Sequence, residues 1–257
     1  MAKILAIHAH PDDVEFLAGG TMALLAGLGH DLTIATFTPG DCGSKQLDAE
    51  EIAAVRRQEA ANAAARIGAR YLCLEMRDLA IFDDDGSRRQ VTEVLRQAAP
   101  DLVLTSSPVD YHCDHEAASA LVRDACFAAP APNYATRIEW AAAPLDRIPH
   151  LYFMDPVEGK DPEGRVVAPD FVVDIAATFA EKRAMLAEHA SQRIWLQQHH
   201  GTDNYLDEME RWTRARGALV GVEYAEGFRQ YRGHAYPQSG LLQDWLGASA
   251  IQLAPRG

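Results

Sequence analysis

Four short apolar runs, 4–7, 32–37, 71–74 and 102–104, are each followed by a stretch with helical periodicity, at 20–28, 49–67, 88–98 and 115–127. Strand-length runs alternating with helix-length stretches predict a Rossmann-like α/β fold, a mainly parallel sheet with helices on both faces. Ligands in such a sheet collect at the carboxyl ends of the strands. Two polar clusters stand at such ends: His8-Ala9-His10-Pro11-Asp12-Asp13-Val14-Glu15 after the first run and Asp110-Tyr111-His112-Cys113-Asp114-His115 after the fourth. The periodicity alone therefore places both on one rim.

Adjacent carboxylates repel, so keeping Asp12 and Asp13 ionised requires a cation or backbone N–H groups. Taken alone, the pair also reads as an acidic cap for a helix near Gly19. Pro11 stiffens the turn by fixing its own φ. With the second cluster, imidazole and carboxylate come from two strand-to-helix loops, the usual supply for a zinc-type site with an open coordination position. A dinucleotide-binding loop would share the architecture. However, Gly19-Gly20 lacks the G-x-G-x-x-G spacing, and the aspartates stand where a pyrophosphate needs helix N–H groups.

The two clusters together resemble the LmbE-like or PIG-L family of zinc-dependent N-acetylglucosamine deacetylases, which carry a His-Pro-Asp-Asp-x-Glu loop and a later His-x-Asp-His. The resemblance is strongest over 4–122. It continues through Val173-Asp174-Ile175, Lys182, His189-Ala190-Ser191-Gln192 and Tyr224-Ala225-Glu226-Gly227-Phe228, so one LmbE-like domain over 1–257 is expected. It implies His10, Asp13 and His115 as ligands of Zn2+, with water and the substrate carbonyl completing the sphere. The same donor set also suits Fe2+. Asp12 would be the general base. His112, when protonated, would stabilise the oxyanion and deliver a proton to the amine, and Asp114 would hold that imidazole. Arg56 would lie near the sugar, and Asp78 would accept hydrogen bonds from its hydroxyls. The function so implied is hydrolysis of the N-acetyl group of an amino-sugar derivative. A metal-dependent amidase or esterase acting on a non-sugar acyl amine, and a non-catalytic metal- or ligand-binding member of the fold, are the alternatives. The motif form looks most like the bacillithiol-type deacetylases, which suggests a homo-oligomer.

The remaining residues are less specific. Ile52, Arg56, Glu59, Ala63 and Ile67 share a helical face, on which Arg56 and Glu59 are spaced to pair. Glu15 suits backbone capping or contacts behind the ligands, His8 reads as packed or hydrogen-bonded, and His189 as a helix-terminal or substrate contact. Cys113 stands where the family more often has proline, without a separate base and orienting group for thiolate chemistry. The four cysteines show no C-x-x-C spacing. The proline- and alanine-rich stretch 128–149 reads as a long loop able to cover a site, and 38–49 with 128–148 would select the sugar. Strands near 150–154 and 171–173 and helices near 175–189 and 203–216 complete the expected order.

A formal net charge of −13 disfavours a basic surface for nucleic acid or anionic membrane. The apolar run after Met-Ala-Lys is too short for a signal peptide or a span, so a cytoplasmic protein acting on a small molecule is expected.

Overall fold

The computed structural model describes residues 1–137, 139–200 and 205–253, the side chains of Ile194 and 197–200 excepted. Eight strands form one sheet: β1 Lys3–His8, β2 Asp31–Thr36, β3 Arg70–Cys73, β4 Leu102–Thr105, β5 His150–Met154, β6 Phe171–Asp174, β7 Ala225–Gln230 and β8 Ala250–Gln252. Their order is β3-β2-β1-β4-β5-β7-β6-β8. The first five are parallel, as the sequence predicts. The last three extend the sheet antiparallel. The helices are α1 Asp13–Gly27, α2 Ala49–Arg66, α3 Asp85–Ala98, α4 Cys113–Ala128, α5 Phe179–Ala187, α6 Ala190–His200, α7 Tyr205–Ala218 and α8 Leu241–Leu246. Among the described residues no helix is long and apolar enough to cross a membrane.

The continuous apolar runs of the central strands follow from burial on both faces. Ile4 and Ala6 of β1 join the core under α1, whereas Leu5 and Ile7 point into the core under α3 and α4. Leu102 and Leu104 divide from Val103 in the same way, and Tyr152 and Met154 from Leu151 and Phe153, as the period of two requires.

After β1 the chain turns to one side, toward β2 and β3, and after β4 it turns to the other, toward β5. The loops leaving β1 and β4 therefore part at the point where the strand order reverses, the usual crevice of an open α/β sheet. Both polar clusters lie on those two loops.

Helix α1 begins at Asp13, well before the stretch 20–28 that the sequence suggests, and it runs through Gly19-Gly20. The glycines serve close packing: a Cβ on Gly20 would come within 2.5 Å of Ile175 Cδ1. At the same place a buried ion pair grips the helix. Glu226 accepts from the N–H groups of Gly20 (2.9 Å) and Thr21 (2.7 Å), while Lys182 Nζ donates to the Phe16 carbonyl (2.6 Å) and to Glu226 (2.5 Å). Removing one partner of such a pair costs about 3–5 kcal/mol, because it strands a buried charge.

The described residues of 128–149 do not cover the site. Arg96 donates to the carbonyls of Ala129 (3.0 Å) and Ala131 (2.8 Å), and Glu93 accepts from Thr136 Oγ1 (2.8 Å) and the Ala142 N–H (2.9 Å). These polar side chains of α3 draw the loop onto the outside of that helix.

Candidate functional site

The first loop delivers its side chains through a strained turn. Asp12, the N-cap of α1, has φ 98°, a region that residues other than glycine rarely occupy. The turn is held from below by Arg56, whose Nη2 donates to the Pro11 carbonyl at 2.9 Å and lies 3.6 Å from Asp12 Oδ2. Gly40, with φ 77°, lets the loop after β2 lie on that guanidinium, since a Cβ there would approach Arg56 Cζ to 2.5 Å.

At the switch point His10 Nδ1, Asp13 Oδ2 and His115 Nε2 form a near-equilateral triangle. His10 is 3.3 Å from Asp13 and 3.3 Å from His115, and Asp13 is 3.5 Å from His115. Donors about 2.0–2.1 Å from one tetrahedral cation stand roughly 3.3–3.4 Å apart, so the triangle has the size of one face of such a site. The other nitrogen of each imidazole faces a carboxylate: His10 Nε2 is 3.3 Å from Asp114 Oδ2, and His115 Nδ1 is 3.1 Å from Asp110 Oδ1. Carboxylates so placed fix the tautomer and leave the inner nitrogens free to coordinate.

His8, Asp13 and His115 also lie close enough to share a metal. His8 Nδ1, however, is 2.6 Å from Asp13 Oδ2, a hydrogen-bond distance and short for two donors on one cation. His8 Nδ1 also accepts from the Ala9 N–H at 2.9 Å, and the ring is fully buried. A further set, Asp41, Cys42 and Asp78, is occupied within its loop: Asp78 Oδ2 accepts from the Cys42 N–H (3.0 Å) and Asp41 Oδ1 from the Asp78 N–H (2.8 Å).

The electrostatics match a cation site. Burial opposes charge on His10, but hydrogen bonds to Asp114 and Asp13 outweigh it and lift the imidazole to about 10. Burial also opposes charge on Asp13, yet His8, His115 and His10 hold its carboxyl well below the usual range. A cation on His10 is thus favoured beside the Asp13 and Asp114 carboxylates, and a metal ion at the triangle would meet the same carboxylates.

Asp12 is set apart. Burial raises its carboxyl to about 6, with Asp13 adding to the effect and Arg56 and His189 opposing it. The Tyr205 hydroxyl hydrogen-bonds it. His112 is the N-cap of α4, and its Nδ1 accepts from the Asp114 N–H at 3.2 Å. That bond places the proton of the neutral ring on Nε2. Burial, then the charges of His10 and His115, lower its pKa.

A cleft of about 510 Å³ opens beside Asp12 and Asp13. Phe16 and Leu17 of α1, Tyr111, Val157, Glu158 and Lys160, Gln192 and Leu196 of α6, and five side chains of α7, Trp212 among them, line it. Among the described residues of 38–49 and 128–148, none lines it.

The other residues singled out in the sequence take these positions. Asp114 directs its carboxylate to His10 and the Leu79 N–H (2.7 Å); its backbone N–H donates to His112 Nδ1, and its charge raises the His112 pKa against burial. Arg56 supports Pro11 and Asp12 from beneath and is absent from the cleft wall. Asp78 is absent too, being bonded to Thr38 Oγ1 and the Cys42 N–H. Glu59 pairs not with Arg56 but with Ser191, through Oγ (2.5 Å) and N–H (2.9 Å). Glu15 and His189 are buried together, 3.5 Å apart, behind Asp12 and outside the cleft; His189 stands just before α6, and its carbonyl accepts from the Arg193 N–H (3.4 Å). Cys113 is exposed and does not line the cleft. Two participants escaped the sequence reading. Asp110 opens the second cluster and was findable as a partner for His115, whereas Tyr205 carries no local signal.

Fold and site together define an α/β protein with a candidate metal centre at the switch point of its sheet and a buried carboxylate beside it. Residues 5–126 match the family described as PIG-L: GlcNAc-PI de-N-acetylase. A 4-oxalmesaconate hydratase of Pseudomonas putida is 27% identical over 200 residues, covering 74% of this chain and 74% of its own. A diacetylchitobiose deacetylase of Thermococcus kodakarensis is 25% identical over 246 residues, covering 88% and 82%. The solved N,N'-diacetylchitobiose deacetylase of Pyrococcus horikoshii superposes with a TM-score of 0.75 at 26% identity, covering 93% of this chain and 88% of its own. Over 5–126 the chain is therefore similar to this PIG-L family, and it shares the fold of the solved deacetylase.

Proposed function

We propose that the protein removes the N-acetyl group of an amino-sugar derivative by metal-dependent hydrolysis, with His10, Asp13 and His115 as ligands. The observation that carries this reading is the donor triangle of 3.3, 3.3 and 3.5 Å beside the buried Asp12. Zn2+ fits a set of two imidazoles and one carboxylate with an open position, and Fe2+ shares that preference. When bound, the ion supplies a Lewis acid that polarises the amide carbonyl and lowers the pKa of water.

The chain's own residues supply the proton transfers. Asp12, at about 6, is ionised at neutral pH and takes the proton of the attacking water. The protonated carboxyl then returns it to the departing nitrogen, so the amine leaves neutral. His112 donates through Nε2–H to the developing oxyanion at the amino end of α4, where the helix dipole also favours negative charge. It acts as a neutral imidazole, not in the protonated form that the motif alone suggests. Arg56, with Tyr205, keeps Asp12 in its strained turn.

Asp114 is expected to act on the metal. Asp114→Asn should weaken metal affinity about 10–100-fold in a chelator competition, through loss of the carboxylate on His10. Unchanged affinity with lower turnover would assign Asp114 to another role.

The reading as a whole is tested by measuring turnover of N-acetylglucosamine conjugates, N-acetyl amino acids and 4-oxalmesaconate on protein of known metal content. Release of acetate from the sugars alone is expected. Turnover confined to the amino acids would sink the sugar substrate, and turnover confined to 4-oxalmesaconate would favour the water addition for which the Pseudomonas putida relative is named.

A further inference from the structure

The segment His189-Ala190-Ser191-Gln192 opens α6, and two of its side chains fasten it. His189 is fully buried, 3.5 Å from Glu15 on α1. Ser191 bonds Glu59 on α2 through Oγ (2.5 Å) and N–H (2.9 Å). The first turn of α6 is thus tied both to the helix that begins at Asp13 and to the helix that carries Arg56. Gln192 comes next in the chain and lines the cleft. Three positions apart, it shares a helix face with His189, which brings its amide to the Asp12 end of the wall.

Among the described side chains that line the cleft, two atoms are buried without a hydrogen-bond partner: Asp12 Oδ2 and Gln192 Oε1. Charged groups elsewhere on the wall are paired, Lys160 Nζ with Glu158 Oε2 at 3.1 Å and Arg211 with Glu208. A buried acceptor left unpaired costs free energy, so a cleft that keeps one suits a donor that arrives with the ligand. Asp12 already has its task as the base. Gln192 Oε1 remains, held in place by its neighbours and able only to accept.

An N-acetyl amine carries one matching donor at its reacting group. Its carbonyl oxygen is directed at the metal centre and His112, and the attacking water at Asp12. That leaves the amide N–H, which can only donate and needs an acceptor once it is out of water. An ester has an oxygen there, which would face Gln192 Oε1 with acceptor against acceptor. A site built around such a hydrogen bond rejects the analogue that lacks the donor.

Building on the amino-sugar reading above, we propose that Gln192 is the residue that tells an amide from an ester, its Oε1 accepting the N–H of the scissile N-acetyl group. His189 with Glu15, and Ser191 with Glu59, are positioning residues for it.

The test is steady-state kinetics, on protein of measured metal content, with an N-acetylglucosamine conjugate and the acetate ester of the matching glucose conjugate at the same carbon. Gln192→Met keeps the volume and removes the acceptor. It should lower kcat/KM for the amide about 10–100-fold and leave the ester within about twofold, which also reports an intact metal centre. Where the ester is not cleaved, its Ki as a competitor is read in place of its rate. Gln192→Glu retains an acceptor and should recover most of the amide rate, and Ser191→Ala should give a smaller loss confined to the amide. Equal losses on amide and ester would make Gln192 a general wall or oxyanion contact, and an unchanged amide rate in Gln192→Met would place the N–H elsewhere; either result overturns the proposal. Wild type that holds metal and cleaves no amide would sink the deacetylase reading and this inference with it, a result that no Gln192 variant can imitate.

Discussion

Replacing Asp12 with alanine is expected to leave the metal in place and to lower kcat by about 10²–10⁴-fold, the usual contribution of a positioned general base. The expectation rests on the division of labour between two neighbouring carboxylates. Asp13 is held ionised by three histidines, whereas Asp12 is raised by burial to about 6 and lines the cleft. Elemental analysis and steady-state kinetics on the same sample provide the check. Metal lost in parallel with activity would make Asp12 a ligand or a structural residue instead. The same assignment fixes the sign of the pH dependence. The base must be ionised to accept a proton, so kcat/KM should be flat above about pH 6 and fall tenfold per unit below it. Asp12→Glu, if it retains activity, should shift that limb.

Replacing His115 with alanine should reduce metal content from about one ion per chain to a small fraction of that, and activity with it. His115 contributes one corner of the donor triangle, and its loss leaves Asp110 facing a cavity where an imidazole stood 3.1 Å away. The decrease in affinity should exceed the 10–100-fold expected of Asp114→Asn, because a direct ligand is removed rather than the group that orients one. Metal content equal to wild type would mean that the loops after β1 and β4 do not share an ion. Because His115 belongs to both His10-Asp13-His115 and His8-Asp13-His115, the two sets are told apart by His10→Ala and His8→Ala: metal lost in the second and kept in the first would favour the His8 set.

The parallel half of the sheet and the rim on which the site lies were legible because β1, β2 and β4 are buried on both faces and read as uninterrupted apolar runs. The edge strands were less so. The strand β7, AEGFRQ, carries Glu226 at an inward position, and a buried glutamate breaks the apolar signal where it serves Lys182 and the backbone of α1. The start of α1 was hidden by Gly19-Gly20, whose role lies in contact with Ile175 and not in ending a helix.

Within the site, spacing brought the two clusters together, but it could not say which carboxylate faces which imidazole. Asp114 reaches His10, 104 positions away, while its neighbour His112 turns its ring onto the Asp114 backbone. That choice depends on the relative placement of two loops. The cleft wall was illegible for the same reason: Val157, Gln192, Tyr205 and Trp212 converge from three segments that carry no shared pattern.

The grip of Lys182 and Glu226 on α1 bears on how such a protein can change over time. Every residue assigned to the chemistry lies between His10 and His115, yet the helix that aims Asp12 and Asp13 is moored to residues far downstream. The segments that form the cleft, from Val157 to Ala215, can therefore be remodelled for a new substrate only in ways that keep this mooring. Novelty in specificity and constancy in catalysis are tied by one buried pair of opposite charges.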